Sequence, residues 1–163
     1  MSRIHVRSAG PEDAAVIVQL VRELAIYERE PLSAVKISEA DVLRDGFGVE
    51  RRFEVLLAER DQVVEGFALI FPNYSTWEGR AGIYIEDLFV REQARGLGLG
   101  RLLLTAIARL ALERGCRRVD LNVLDWNPTR AFYHRIGIHH LSAWLPYRMG
   151  PDAITRLAAD AVE

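Results

Sequence analysis

Between Val90 and Leu104 the chain reads "VREQARGLGLGRLLL", and its centre holds the residue types best suited to bind an anion. Gly96, Gly98 and Gly100 alternate with Leu97 and Leu99, flanked by Arg95 and Arg101. Residues this small leave backbone N–H groups bare, and the loop runs directly into a stretch of helical apolar periodicity, so the amides sit at the positive end of a helix of roughly four turns. Such a loop can wrap a pyrophosphate. Two phosphate-binding fingerprints fail on spacing: Gly-x-Gly-x-x-Gly finds Arg101 where its third glycine belongs, and the Gly-Lys-Ser/Thr of a P-loop is absent. The competing reading is that these glycines only make a turn and let helix and sheet approach closely.

Just upstream, Glu86 lies among apolar Ile83, Ile85, Leu88 and Phe89. Desolvation there would raise its pKa and fit it to take a proton, against the alternative of a strand-face carboxylate in an ion pair. Asp87 is expected on the opposite sheet face unless a bulge intervenes. The single cysteine, Cys116, has no partner for an internal disulfide and reads as a small half-buried hydrophobe. His5, His134, His139 and His140 lack metal-ligand spacing, so no metal site is expected. No Gly-x-Ser-x-Gly elbow exists, which removes a serine hydrolase.

The elements that must hold these residues follow from periodicity. Ile4 and Val6 alternate in a first strand, and after Gly10 and Pro11 a helix is predicted with Ala14, Val18, Val21 and Ala25 on one face. Ser38 is placed to cap a second helix, with Asp41 at the capping-box distance and Gly46 as its stop. "FEVLLA" from Phe53 and "VVEGFALIFP" from Val63 are strands expected to pair as a hairpin, and Ala81–Val90 is a third strand of this group. Leu99, Leu102, Leu103, Ala106, Ile107, Leu110 and Ala111 define the clearest helix, ended by Gly115. Then come a strand over Arg117–Asp125, a short helix over Asn127–Gly137 opened by Pro128, a last strand in "AWLPYRM" and a closing helix in "PDAITRLAA". The class is mixed α/β (α+β), with no internal repeat.

The chain has 163 residues, half of them apolar, enough for one sizeable core and too few for two ordinary domains. Lys36 is the only lysine, and arginines and acids alternate throughout a net charge of -2, so no basic stripe for nucleic acid is present. No apolar run is long enough for a membrane span, and "MSRIHVRSAG" lacks the apolar block of a signal peptide, so a cytoplasmic protein is expected.

"VREQARGLGLGRLLL" resembles the acetyl-CoA-binding motif of the GNAT superfamily of N-acetyltransferases, with Arg95, Gly98 and Gly100 at the matching positions. The resemblance covers nearly the whole chain: "RELAIYERE", "DGFG", "YSTWEGR", "YIEDLFV", "VLDWN" and "AFYHRIG" are similar to stretches of the diamine acetyltransferases, the spermidine/spermine and thialysine enzymes. It implies a single GNAT-like domain over residues 1–163, a central mixed, mostly antiparallel twisted sheet flanked by helices.

That resemblance implies roles as well. The backbone of Leu88, Phe89 and Val90 would pair with the pantetheine arm of acetyl-CoA, and Arg95, Gly96, Leu97, Gly98, Leu99, Gly100 and Arg101 would hold its phosphates. Glu86 would be the base, Tyr133 the acid that protonates the departing sulfur, and Asn127 a further contact to the pantetheine, although an asparagine before proline is equally a helix cap. Tyr27, Glu28, Trp77 and Glu78, with Glu86, are the expected walls for a small cationic amine. An acidic residue that the spermidine/spermine enzymes carry just before the tryptophan is replaced by Ser75 and Thr76, which shifts the expected acceptor toward thialysine or a lysine-like amino acid ahead of polyamines. Acetyl transfer to a peptide or protein, and a non-catalytic acetyl-CoA sensor, are the alternatives. A homodimer is expected from the family, and no nucleic-acid or membrane partner.

Overall fold

The computed structural model describes residues 2–160. The chain divides into two compact units, residues 1–124 and 125–163, which are described separately.

The first unit is built on a five-stranded sheet. Its elements run β1 (Ile4–Ser8), α1 (Ala14–Tyr27), α2 (Glu39–Phe47), β2 (Glu54–Arg60), β3 (Val63–Ser75), β4 (Arg80–Val90), α3 (Leu99–Glu113) and β5 (Val119–Leu121). The strands lie in sequence order; the first four pair antiparallel, and β5 joins β4 in parallel. The expected β2–β3 hairpin forms, and its turn residues Asp61 and Gln62 both take positive φ, 51° and 68°. That is the geometry that matches the twist of the flanking strands. The Asp61 carboxylate accepts the Arg3 N–H at 2.8 Å and so ties the turn to the start of the chain.

Alternation along the strands makes two apolar faces. Val55, Leu57, Phe67, Leu69 and Phe89 form one core with Ile17, Leu20 and Leu24 of α1 and Val42 of α2. Their neighbours Leu56, Ala68 and Ile70 point to the other face, where α3 packs on the sheet with Leu99, Leu103 and Ile107 buried. Each fully buried side chain of this size contributes about 1.5–3 kcal/mol. On α1 the buried stripe takes in Ile17, Leu20 and Leu24 besides Ala14, Val18 and Ala25, so it is wider than predicted, and Val21 sits at its half-buried edge.

One interruption redirects the strand that matters most. Leu69 lies opposite Asp87 and Ile70 opposite Ile85, which leaves Glu86 without a partner as the extra residue of a bulge. Before the bulge, Ile85 shares the face of Ile70; after it, Asp87 and Phe89 share the face of Leu69 and Phe67. An unbroken strand would have put Ile83, Ile85, Asp87 and Phe89 on a single face.

Several expectations need correction. Ser38 and Asp41 make the predicted capping box, but α2 continues through Gly46 to Phe47 and is capped at Gly48. Gly46 is buried because a Cβ there would come within 2.8 Å of the Phe53 ring. The strand predicted over Arg117–Asp125 shrinks to Val119–Leu121, where β4 offers pairing only at Ile83, Tyr84 and Ile85.

The second unit carries α4 (Thr129–Arg135) and α5 (Pro151–Ala159), the latter with the predicted residues. Asn127 caps α4: its Oδ1 accepts the Thr129 N–H at 3.0 Å and the Thr129 hydroxyl at 2.7 Å, while Pro128 already has helical angles. The strand expected in "AWLPYRM" is absent. Residues 143–149 find no strand partner among the described residues, and Trp144, Leu145 and Tyr147 are exposed; strand composition without a ladder to join does not make a strand.

Candidate active site

The glycine loop has the geometry that its composition suggests. Gly96 and Gly98 adopt φ of 77° and 88°, a region that side chains with a Cβ disfavour, and a Cβ at either would meet nothing within 4 Å. Packing therefore does not require glycine at these two positions; backbone conformation and outside access do. Gly98 is the N-cap of α3 with no side-chain cap, so the first-turn amides of Leu99, Gly100 and Arg101 are left for an external acceptor. The Leu99 side chain is buried in the core, which confines any contact from it to its backbone. Leu97 is exposed.

Beyond Ile85 the edge of β4 on the β5 side carries no strand pairing among the described residues, because β5 stops at Leu121. The backbone of Leu88, Phe89 and Val90 thus belongs to a strand with an open edge that runs into the glycine loop.

On the α1 face of β4 the bulge assembles an acidic and aromatic cluster. Burial, reinforced by the nearby charges of Glu86 and Glu28, pushes the Asp87 carboxyl up to about 7 from its ordinary value of 3.8. Glu28 closes the C-terminal end of α1, where its N–H bonds to Leu24, and burial together with Glu30 raises its carboxyl as well. Glu86 itself is exposed. The desolvation expected at Glu86 falls instead on Asp87, because the bulge turns Asp87 inward and leaves Glu86 in solvent. Asp87 was expected on the opposite sheet face unless a bulge intervened, and the bulge is present.

Tyr27 and Phe89 stand beside these carboxylates with ring centroids 6.2 Å apart. The Arg95 guanidinium lies 4.5 Å over the Tyr27 ring, and its Nε donates to the Val90 carbonyl at 2.9 Å. Together with Glu23, Arg91 and Gln93 they line a cavity of about 540 Å³. One wall is braced by a pair that no local sequence signal announces: Arg91 donates to both Glu23 oxygens, at 2.8 and 2.9 Å, and to the Val64 carbonyl at 2.8 Å. This joins α1, β3 and the end of β4, and it holds the Glu23 carboxyl below the usual range.

Not every expected wall residue joins this cluster. Trp77 and Glu78 occupy the exposed β3–β4 turn. Phe89 lies nine residues along β4 from Arg80, about 30 Å of extended chain, so within one chain the turn and the Tyr27 cavity are far apart. In the second unit Tyr133 is buried on α4, its ring 5.8 Å from that of Phe132. Asn127 spends its Oδ1 on the helix cap.

Comparison with known proteins fits this arrangement. The sequence profile of the acetyltransferase (GNAT) family matches residues 20–138. Thialysine N-epsilon-acetyltransferases are 36% identical in Bos taurus and 37% in Mus musculus, each alignment covering 97% of this chain and 99% of the relative. An L-ornithine N5-acetyltransferase of Arabidopsis thaliana is 44% identical over 95 residues, 58% of this chain and 42% of that one. Among solved structures, an integron cassette protein from the mobile metagenome of V. cholerae superposes with a TM-score of 0.78 at 25% identity, over 96% of this chain and 98% of the other. With the family profile spanning most of the chain and whole-length relatives above 30% identity, the chain belongs to the acetyltransferase (GNAT) family and is an N-acetyltransferase.

Proposed function

We propose that the protein transfers acetyl directly from acetyl-CoA to a small primary amine, with thialysine or a similar lysine-like amino acid as first choice and di- or polyamines second. The observation that carries this reading is the acidic and aromatic cluster that the β4 bulge creates beside an open strand edge and a bare glycine loop. The residues present fit the donor: the amides of 96–101 and the Arg95 and Arg101 side chains suit a pyrophosphate, and the open edge at Leu88, Phe89 and Val90 suits an amide-bearing arm. Acetyl-CoA supplies the thioester, whose carbonyl is the electrophile.

A primary alkylamine with a pKa of roughly 10.4 arrives as an ammonium ion. Glu28 and Glu86 draw the cation in, and the Tyr27 ring offers it a π face. Asp87, held near neutrality, accepts the ammonium proton, and solvent-facing Glu86 passes it on to water. The freed nitrogen attacks the carbonyl carbon and the C–S bond breaks. Tyr133, by its likeness to the family tyrosine, gives its hydroxyl proton to the leaving sulfur, and the second proton lost by the attacking nitrogen restores that hydroxyl. No covalent enzyme intermediate forms. The relatives named for thialysine and ornithine acetylation support a small amino-acid acceptor over a peptide groove or a sensor without turnover.

We further take the protein to be cytoplasmic and to pair with a second copy. Leu141, Trp144, Leu145, Tyr147 and Met149 expose apolar side chains along one segment, which a second copy would cover. Light scattering should give twice the chain mass; the mass of one chain would rule the pairing out.

The function is tested by coenzyme A release from acetyl-CoA with thialysine, lysine, ornithine, spermidine and a lysine peptide. Release strongest with thialysine is expected, whereas release only with the peptide, or with nothing, contradicts the reading. Gly98→Val forces a Cβ into a left-handed backbone and should weaken coenzyme A binding at least tenfold, while Tyr133→Phe should cut turnover about a hundredfold with donor affinity retained. Unchanged affinity in the first or unchanged turnover in the second removes the assigned role. Asp87 carries a signed pH prediction. Its folded pKa lies above the unfolded value, so the native state holds the extra proton, and stability falls as pH rises from about 4 to about 7. Asp87→Asn should therefore raise the melting temperature at pH 8, leave it unchanged at pH 4 and reduce turnover about a hundredfold. A variant that is both less stable at pH 8 and fully active would contradict the placement.

A further inference from the structure

Arg95 differs from Arg91 and Arg60 in having no acidic partner among the described residues. Arg91 pairs with Glu23 and Arg60 with Glu65, whereas Arg95 is held by a carbonyl and by aromatic rings. Its guanidinium lies over Tyr27 at 4.5 Å and near Phe89 at 5.9 Å, and Nε is fixed at 2.9 Å to the Val90 carbonyl. A guanidinium stacks with its face and donates with its edges. In this arrangement the guanidinium carbon lies over the Tyr27 ring and one edge N–H is on the backbone. The two terminal nitrogens make no hydrogen bond to described residues, so a full positive charge and a fork of N–H groups are presented in one orientation, next to the glycine loop.

A free arginine samples many rotamers and must lose that freedom on binding a phosphate. Tyr27 removes part of the cost beforehand. Tyr27 is itself anchored, being packed against the α1 core at the helix end and set beside Phe89 of β4. Neither its position on α1 nor its place among the amine-facing residues suggests a role toward the donor; the stack does.

Resting on the reading that residues 95–101 take the phosphates of acetyl-CoA, we propose that Tyr27 is a positioning residue for the donor. Its ring fixes the Arg95 guanidinium for a diphosphate, so one side chain serves the amine site and the phosphate site together.

The test is a double-mutant cycle on coenzyme A affinity, with pantetheine, which lacks the phosphates, as a second ligand. Tyr27→Leu keeps apolar bulk against Phe89 and removes the π face; Tyr27→Phe keeps the face and checks that the helix end is intact. Tyr27→Leu should weaken coenzyme A binding about two- to five-fold, the range for an exposed cation–π contact. Tyr27→Phe should bind as the unaltered protein does, and pantetheine affinity should be the same in all three. In an Arg95→Ala background Tyr27→Leu should cause no further loss. Additive losses, an equal loss for pantetheine, or an effect confined to the KM of the amine each overturn the proposal while leaving the acetyltransferase reading in place. Failure of the unaltered protein to bind coenzyme A overturns both.

Discussion

The site depends on one extra residue in one strand. Between Ile85 and Asp87 the chain inserts Glu86 without a partner on β3, and every side chain after it changes face. Phe89 thereby joins the α1 core and Asp87 comes to lie under the end of α1, beside Glu28 and Tyr27. Remove the bulge and Asp87 would face α3 with Ile83 and Ile85. A carboxylate would then sit in an apolar layer, and Glu86 rather than Asp87 would be turned toward α1.

The same region uses ion pairs for two different ends. The Glu23–Arg91 pair joins the two charges through two hydrogen bonds and ties α1 to the end of β4. Asp87 has no cation beside it among the described residues. Two neighbouring carboxylates and burial leave it poised near neutral pH, which is costly for stability and useful for proton transfer. Arg95 is the positive counterpart: it has no carboxylate among the described residues and is steadied only by a carbonyl and aromatic rings. Among the described residues the cluster thus holds a carboxyl without a cation and a guanidinium without a carboxylate, the two charges that the proposed ammonium and phosphate ligands would complement.

Local signals were legible in the sequence. Ser38 and Asp41 announced the α2 cap, the i, i+3, i+4 spacing announced α3, and the glycine alternation announced a loop whose amides stay bare. The family resemblance supplied the fold. What stayed hidden depends on distant partners. The bulge at Glu86 exists only in relation to the register of β3, so apolar neighbours pointed to burial of Glu86 and Asp87 could be placed only on the condition of a bulge. Gly46 read as a helix stop because the Phe53 ring it accommodates lies outside the helix. "AWLPYRM" has strand composition, but composition provides no pairing partner. Trp77 was grouped with Tyr27 by residue type, and the length of β4 separates them.

The most direct measurement is a carboxyl carbon NMR titration of Asp87, assigned by comparison with Asp87→Asn. If the bulge turns this residue into the buried acidic cluster, its midpoint should lie near 7, well above the ordinary 3.8. A midpoint in the ordinary carboxylate range would mean that Asp87 is solvated, and the acid that receives the amine's proton would have to be sought elsewhere.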